Sequence, residues 1–114
     1  MIPAVYNLGK VLRGDTINAR QFTLCQKIGN TLEPLDLNDA QLRCTFKNNV
    51  QERLYLTLGA GLTLVDGTGG KFRLEPFSLP VSGKWRYDIE ITFPTGVIKT
   101  YLQGEIEVLA DITQ

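Results

Sequence analysis

The sequence predicts an all-β sandwich, on three observations. Residues 84–109 form two runs of alternating apolar and polar residues around a tight turn. Shorter runs of the same alternation recur upstream between Gly, Asn, Asp and Pro clusters. No stretch carries a helical period. In the first long run Trp85, Tyr87, Ile89, Ile91 and Phe93 take every second position, with Arg86, Asp88, Glu90 and Thr92 between them. A period of two sends the two sets to opposite faces of a strand, one buried and one wet. Pro94-Thr95-Gly96 supplies a fixed φ and a residue free to take positive φ, the requirements of a turn between paired antiparallel strands. In the second run Ile98, Thr100, Leu102, Gly104, Ile106 and Val108 share one parity, and Lys99, Tyr101, Gln103, Glu105 and Glu107 the other. Gly104 inside that run marks a bulge or a close approach of backbone.

The earlier elements follow in order. Residues 1–12 are apolar enough for an edge strand or an arm lying on a partner. Arg13-Gly14-Asp15-Thr16 punctuates the chain; the Arg-Gly-Asp tripeptide reads as a turn rather than a receptor motif. A strand is expected over 17–26, then a hairpin-like loop over 27–34 holding Gly29, Asn30 and Pro34. Leu35-Asp36-Leu37 is a short extended piece, and Asn38-Asp39 an Asx-type turn. Residues 41–47 form a strand, Asn48-Asn49 a turn, and Leu54, Leu56 and Leu58 mark the next strand, which Gly59-Ala60-Gly61 breaks. Leu62 and Leu64 belong to a short strand that reverses through Asp66-Gly67-Thr68-Gly69-Gly70 into one begun by Phe72 and Leu74. Pro76 and Pro80 bracket a segment that crosses between sheets. The sum is about eight strands separated by turn signals.

Composition narrows the chemistry. The 114 residues make room for one domain, 1–114, with a core of its own. Twelve basic residues balance twelve acidic ones, so no net field exists to hold a nucleic-acid backbone, and no apolar run is long enough to insert in a membrane as a helix. With no histidine, the commonest general base and metal ligand is missing, and with it the Ser-His and Cys-His nucleophilic pairs. Cys25 lies on the parity opposite Phe22 and Leu24, whereas Cys44 shares its parity with Leu42 and Phe46, so the two are read as separate reduced thiols. Asp36, Asn38, Asp39 and Asp66 lack the graded spacing of a calcium loop and read as turn residues. The glycine-rich 66–70 loop leads into a strand, not the helix that a phosphate cradle needs. The expectation is a protein without catalytic residues, metal or cofactor. Trp85 belongs to the core, the carboxylates of the long hairpin to a solvated face, and Tyr55 and Tyr101 to the surface, where exposed tyrosine suits a partner.

In order along the chain stand Leu12-Arg13-Gly14-Asp15-Thr16, Phe22-Thr23-Leu24, Pro34-Leu35-Asp36-Leu37, residues 42–46, Gly69-Gly70-Lys71-Phe72, Gly83-Lys84-Trp85 through Glu90, and the closing stretch 104–113. Together they make the chain resemble the N-terminal, immunoglobulin-like domain of bacteriophage baseplate upper proteins and related tail modules. The resemblance implies an immunoglobulin-like antiparallel β-sandwich of about seven to nine strands. It also implies a non-enzymatic structural protein of a phage or prophage tail, assembled in the bacterial host cytoplasm and resident in the virion. It would dock on other tail or baseplate proteins, in several copies as a trimer or hexamer. Candidate interface residues are Tyr6, Leu8 and Val11 of the N-terminal arm, with Tyr55 and Tyr101. The alternative is an adhesive or carbohydrate-binding sandwich at a cell surface, which calls for an exposed aromatic cluster.

Overall fold

A computed structural model of the protein describes residues 4–110. Positions 1–3 of the N-terminal arm, and Asp111, Ile112 and Thr113 of the closing stretch, lie outside the described residues. The chain is all-β: β1 (Ala4–Val5), β2 (Gly9–Leu12), β3 (Arg20–Thr23), β4 (Cys25–Ile28), β5 (Thr31–Pro34), β6 (Gln41–Lys47), β7 (Arg53–Leu58), β8 (Gly61–Asp66), β9 (Lys71–Leu74), β10 (Gly83–Thr92) and β11 (Ile98–Leu109). A nine-stranded sheet runs β1-β11-β10-β6-β7-β8-β9-β3, with β2 also on β11, and β4 with β5 makes a separate two-stranded sheet.

The β10–β11 hairpin is the spine. Its turn has Gly96 at φ 89°, with the Gly96 N–H donating to the Phe93 carbonyl. Trp85, Tyr87, Ile89 and Ile91 are buried as their alternation requires, and the Trp85 indole N–H donates to the Val81 carbonyl at 2.8 Å. β6 pairs along the other side of β10, setting Phe46 against Tyr87 and Cys44 against Ile89. The two rings stack at 5.3 Å. Cys44 is buried between Leu42 and Phe46, and Cys25 is exposed; both are free thiols.

The sheet turns back on itself between β7 and β8, where Thr57 N–H donates to Ala60 carbonyl and Gly59 N–H to Leu62 carbonyl. As a result Leu62, Phe72 and Leu74 join one core with Leu42, Phe46, Trp85 and Ile89. Burying each such side chain stabilises by about 1.5–3 kcal/mol. The two ends of the sheet also approach: Tyr6, between β1 and β2, meets Phe22 of β3 edge-on, with centroids 5.3 Å apart. Segment 76–80, expected to cross between two sheets, instead joins β9 to β10 of the same sheet, with Phe77 bridged to Ile17 and Leu79 buried.

Three features of strand pairing depart from the sequence reading, and two alternatives that it left open, at the N-terminal arm and at Gly104, are decided. Most pairings are antiparallel, but β1 and β2 run parallel to β11, and β7 and β8 have a short parallel contact. The N-terminal arm is thus an edge strand of its own sheet: Tyr6 and Leu8 N–H groups donate to the Gln103 and Glu105 carbonyls, which continues the ladder from β1 to β2. The strand expected over 17–26 is divided at Leu24, because β3 pairs with β9 whereas β4 turns away to pair with β5. Finally, the pairing of β10 with β11 slips between Ile89 and Glu90, which face Leu102 and Thr100. Tyr101 is the extra residue, and an extra residue reverses parity beyond it. Ile98 and Thr100 therefore move to the outer face with Thr92 and Glu90, leaving Ile98 58% exposed, and Tyr101 packs on the core beside Phe93. Gly104 is a close approach and not a bulge: a Cβ there would strike the Tyr6 carbonyl.

Candidate functional site

Two surfaces stand out, and the first is the β4–β5 hairpin. Its loop is Gly29-Asn30, with Ile28 opposite Thr31 and Gly29 at φ 61°, the positive φ that a type II′ turn asks of its first central residue. Every residue of both strands is exposed. Cross-strand register places Cys25, Lys27, Leu32 and Pro34 on one face and Gln26, Ile28, Thr31 and Glu33 on the other. Each face thus shows water one large apolar side chain, Leu32 at 71% and Ile28 at 54% exposure.

The root of this hairpin is fixed. Leu24 and Leu35, which flank it, are buried. Leu24 N–H donates to Gly70 carbonyl at 2.8 Å, Leu35 N–H to Leu24 carbonyl at 2.9 Å, and Leu37 N–H to Gly67 carbonyl at 2.8 Å. Gly70, at φ 70°, lies so close to the Leu24 and Leu35 carbonyls that no Cβ fits. The glycine-rich loop is therefore a socket for the hairpin's base. Its carboxylates serve the turns: Asp66 Oδ1 accepts from Gly69 N–H, and Asp36 Oδ1 accepts from Asn38 N–H. Asn38 Nδ2 then donates to Thr68 Oγ1 across the two loops at 3.0 Å.

The second surface is the outer face of β7, β6, β10, β11 and β1. Register lines its side chains into rows across the strands, which lie about 4.8 Å apart. One row reads Tyr55, Thr45, Asp88, Gln103, Val5. The next reads Arg53, Lys47, Arg86, Glu105. Asn7 joins this row through its Oδ1, which accepts from Glu105 N–H at 3.1 Å. On the far side Arg43 faces Glu90 and forms an ion pair at 3.3 Å. A cleft of about 580 Å³ opens over Thr45, Lys47, Arg86, Asp88, Gln103 and Glu105. A second, of about 520 Å³, lies toward Gln41, Thr92 and Ile98. Burial, reinforced by the Glu90 carboxylate, holds Asp88 above the usual carboxylate range against the opposite pull of Lys47 and Arg43.

The five residues marked from sequence do not converge. Tyr6 is exposed beside Phe22, Leu8 is buried in the core, and Val11 is half-buried against it. Tyr55 is 49% exposed on the outer face, with the Arg43 guanidinium 5.8 Å from its ring centroid, a cation–π distance. Tyr101 faces the core through the bulge, so Tyr55 and Tyr101 do not share a surface. Tyr55 and Val5 stand at opposite ends of a row about 19 Å long, which separates Tyr55 from the Tyr6 end of the sheet. Ile28 and Leu32 were not among the marked residues. The signal for them was Gly29-Asn30 between two short runs, a two-residue hairpin turn. The Arg53, Lys47, Arg86 row had no signal, since only register brings three distant positions side by side.

No family model matches the chain, and no curated protein matches its sequence.

Proposed function

We propose that this domain is a non-enzymatic structural protein of a phage or prophage tail or baseplate, which docks onto other tail subunits through the β4–β5 hairpin. The resemblance supplies the setting. The carrying observation is a hairpin with a rigid root and two wet faces, each bearing a large exposed aliphatic side chain. A lone two-stranded hairpin is marginal in water, and its free edges can extend a neighbour's sheet. Contact with an adjoining subunit both covers Ile28 and Leu32 and fixes the hairpin. The immunoglobulin-like topology and the trimeric or hexameric arrangement belong to the same proposal.

The test is quantitative mass spectrometry of purified particles carrying either the wild-type chain or the Ile28→Asp/Leu32→Asp variant. The wild-type chain is expected at a copy number divisible by three, with the variant lost from particles while remaining folded in lysate. Absence of the wild-type chain from particles overturns the reading. A second reading, an adhesive or carbohydrate-binding module at a cell surface, is favoured by one observation, the polar cleft over Thr45, Asp88 and Gln103.

A further inference from the structure

The cations of the outer face are paired except in one row. Lys84 reaches Glu105 at 3.7 Å, Lys10 reaches Glu107 at 4.0 Å, and Arg43 reaches Glu90 at 3.3 Å. Arg53, Lys47 and Arg86 take part in no ion pair among the described residues, although register sets them directly opposite one another on β7, β6 and β10. Like charges in direct cross-strand opposition destabilise a sheet. An exposed position tolerates almost any polar residue, so folding alone does not call for three cations in a row.

Lys47 and Arg86 also form one end of the 580 Å³ cleft, a volume suited to a small ligand. Glu105, opposite Arg86 in the register, also lines this end, with its carboxylate held by Lys84 at 3.7 Å. The rest of the polar lining is of a different kind. Thr45 and Gln103 can each donate and accept, and Asn7 keeps its Nδ2 free to donate because its Oδ1 is already occupied by Glu105 N–H. Asp88, flanked in its row by Thr45 and Gln103, only accepts when ionised. Arg86 and Asp88 are two residues apart on β10 and so about 7 Å apart along the strand. A ligand lying along β10 thus meets cations at one end and a carboxylate between hydroxyl-binding groups at the other. A polyanion or a charge-dense phosphate would set negative charge against Asp88. A molecule with one carboxylate and, a pyranose ring away, neighbouring hydroxyls satisfies both ends: the carboxylate goes to Arg86 and Lys47, and the hydroxyls donate to Asp88 and accept from Gln103 and Asn7.

We propose that the cleft bounded by Lys47, Arg86 and Asp88 binds an acidic sugar, a hexuronate unit of a carboxylated glycan. The inference rests on the second reading above and sharpens it by naming the charge of the sugar.

The experiment is a titration of the isotopically labelled protein, followed by its amide resonances, with D-glucuronate, D-glucose and inorganic phosphate at matched ionic strength. Glucuronate is expected to give saturable shifts at Thr45, Lys47, Arg86, Asp88 and Gln103, with an affinity at least tenfold above that for glucose or phosphate. Lys47→Gln and Arg86→Gln are each expected to weaken glucuronate at least tenfold while leaving the remaining spectrum, and hence the fold, unchanged. Equal binding of glucose and glucuronate would keep the glycan reading and overturn the acidic one. Phosphate matching glucuronate, or no saturable shift with either sugar, would also overturn it.

Discussion

The Tyr87 hydroxyl donates a hydrogen bond to the backbone carbonyl of Tyr6, across 81 residues of chain. Tyr87 lies in the core of the central hairpin and Tyr6 in the link between β1 and β2, so a buried side chain pins the edge strand from beneath. Tyr87→Phe removes the donor and leaves that carbonyl without it. The expected loss is about 1–2 kcal/mol in urea unfolding, with faster amide exchange at Tyr6 and Leu8, whose N–H groups bond to β11. Unchanged exchange at these two amides would show that the ladder alone holds the strap.

Gly70→Ala tests the socket. Positive φ and the neighbouring Leu24 and Leu35 carbonyls both exclude a Cβ, so the variant is expected to lose more than about 2 kcal/mol. Gly29→Ala, also at positive φ but in open space, should cost only the backbone strain, about 1–2 kcal/mol. Thermal unfolding of the pair reads the difference; equal losses would mean that φ and not crowding sets the cost at Gly70.

Ile28→Asp and Leu32→Asp separate docking from folding. Neither side chain belongs to the core, so each substitution should change monomer stability by no more than about 0.5 kcal/mol by denaturant titration. A loss of 2 kcal/mol or more would mean that the hairpin packs on its own domain and is not available to a neighbour.

The thiols should differ by accessibility. Cys25 is exposed and Cys44 fully buried, and burial, with a further push from Asp88, raises Cys44 far above the usual thiol range. Ellman titration at neutral pH is expected to count one reactive thiol in the native protein and two in denaturant. Two in native buffer would contradict the packing of β6 on β10.

The same burial makes stability fall in alkali. Cys44 rises from an ordinary 9.0, and Tyr87 rises from 10.0 through burial, then Cys44 and Tyr6. The folded state keeps protons that the unfolded chain would release, so the contribution is complete below the unfolded values and lost as pH climbs past them. Unfolding free energy should decline from pH 9.0 by about 1.4 kcal/mol per pH unit through Cys44, and more steeply above 10.0 as Tyr87 joins. Cys44→Ala should remove the first part of the slope.

Local alternation and turn chemistry were enough to read β6 over Gln41–Lys47, the β10–β11 hairpin and the reversal at residues 66–70, whereas the Asx turn expected at Asn38-Asp39 is made by the Asp36 carboxylate, which accepts from Asn38 N–H. Each is settled by neighbours within a few positions. The bulge at Tyr101 was not legible, because Thr100-Tyr101-Leu102 alternates normally and only pairing with β10 reveals an extra residue. The break at Leu24 was hidden in the same way, since alternation continues across it while the partner strand changes. The candidate sites divide along this line. The hairpin tip had a local signal in Gly29-Asn30, whereas the row of Arg53, Lys47 and Arg86 exists only in the register of three strands.

The parallel strap has a consequence for biosynthesis. β1 and β2 are translated first, yet their partner β11 is translated last, ending at Leu109. A ribosome must therefore carry the strap unpaired until the whole body of the domain has emerged. Long-range pairings of this kind are slow because loop closure precedes any gain in contacts. The nascent strap is thus open to a chaperone or to another chain until β11 emerges, and its closure marks the moment at which the domain becomes resistant to such encounters.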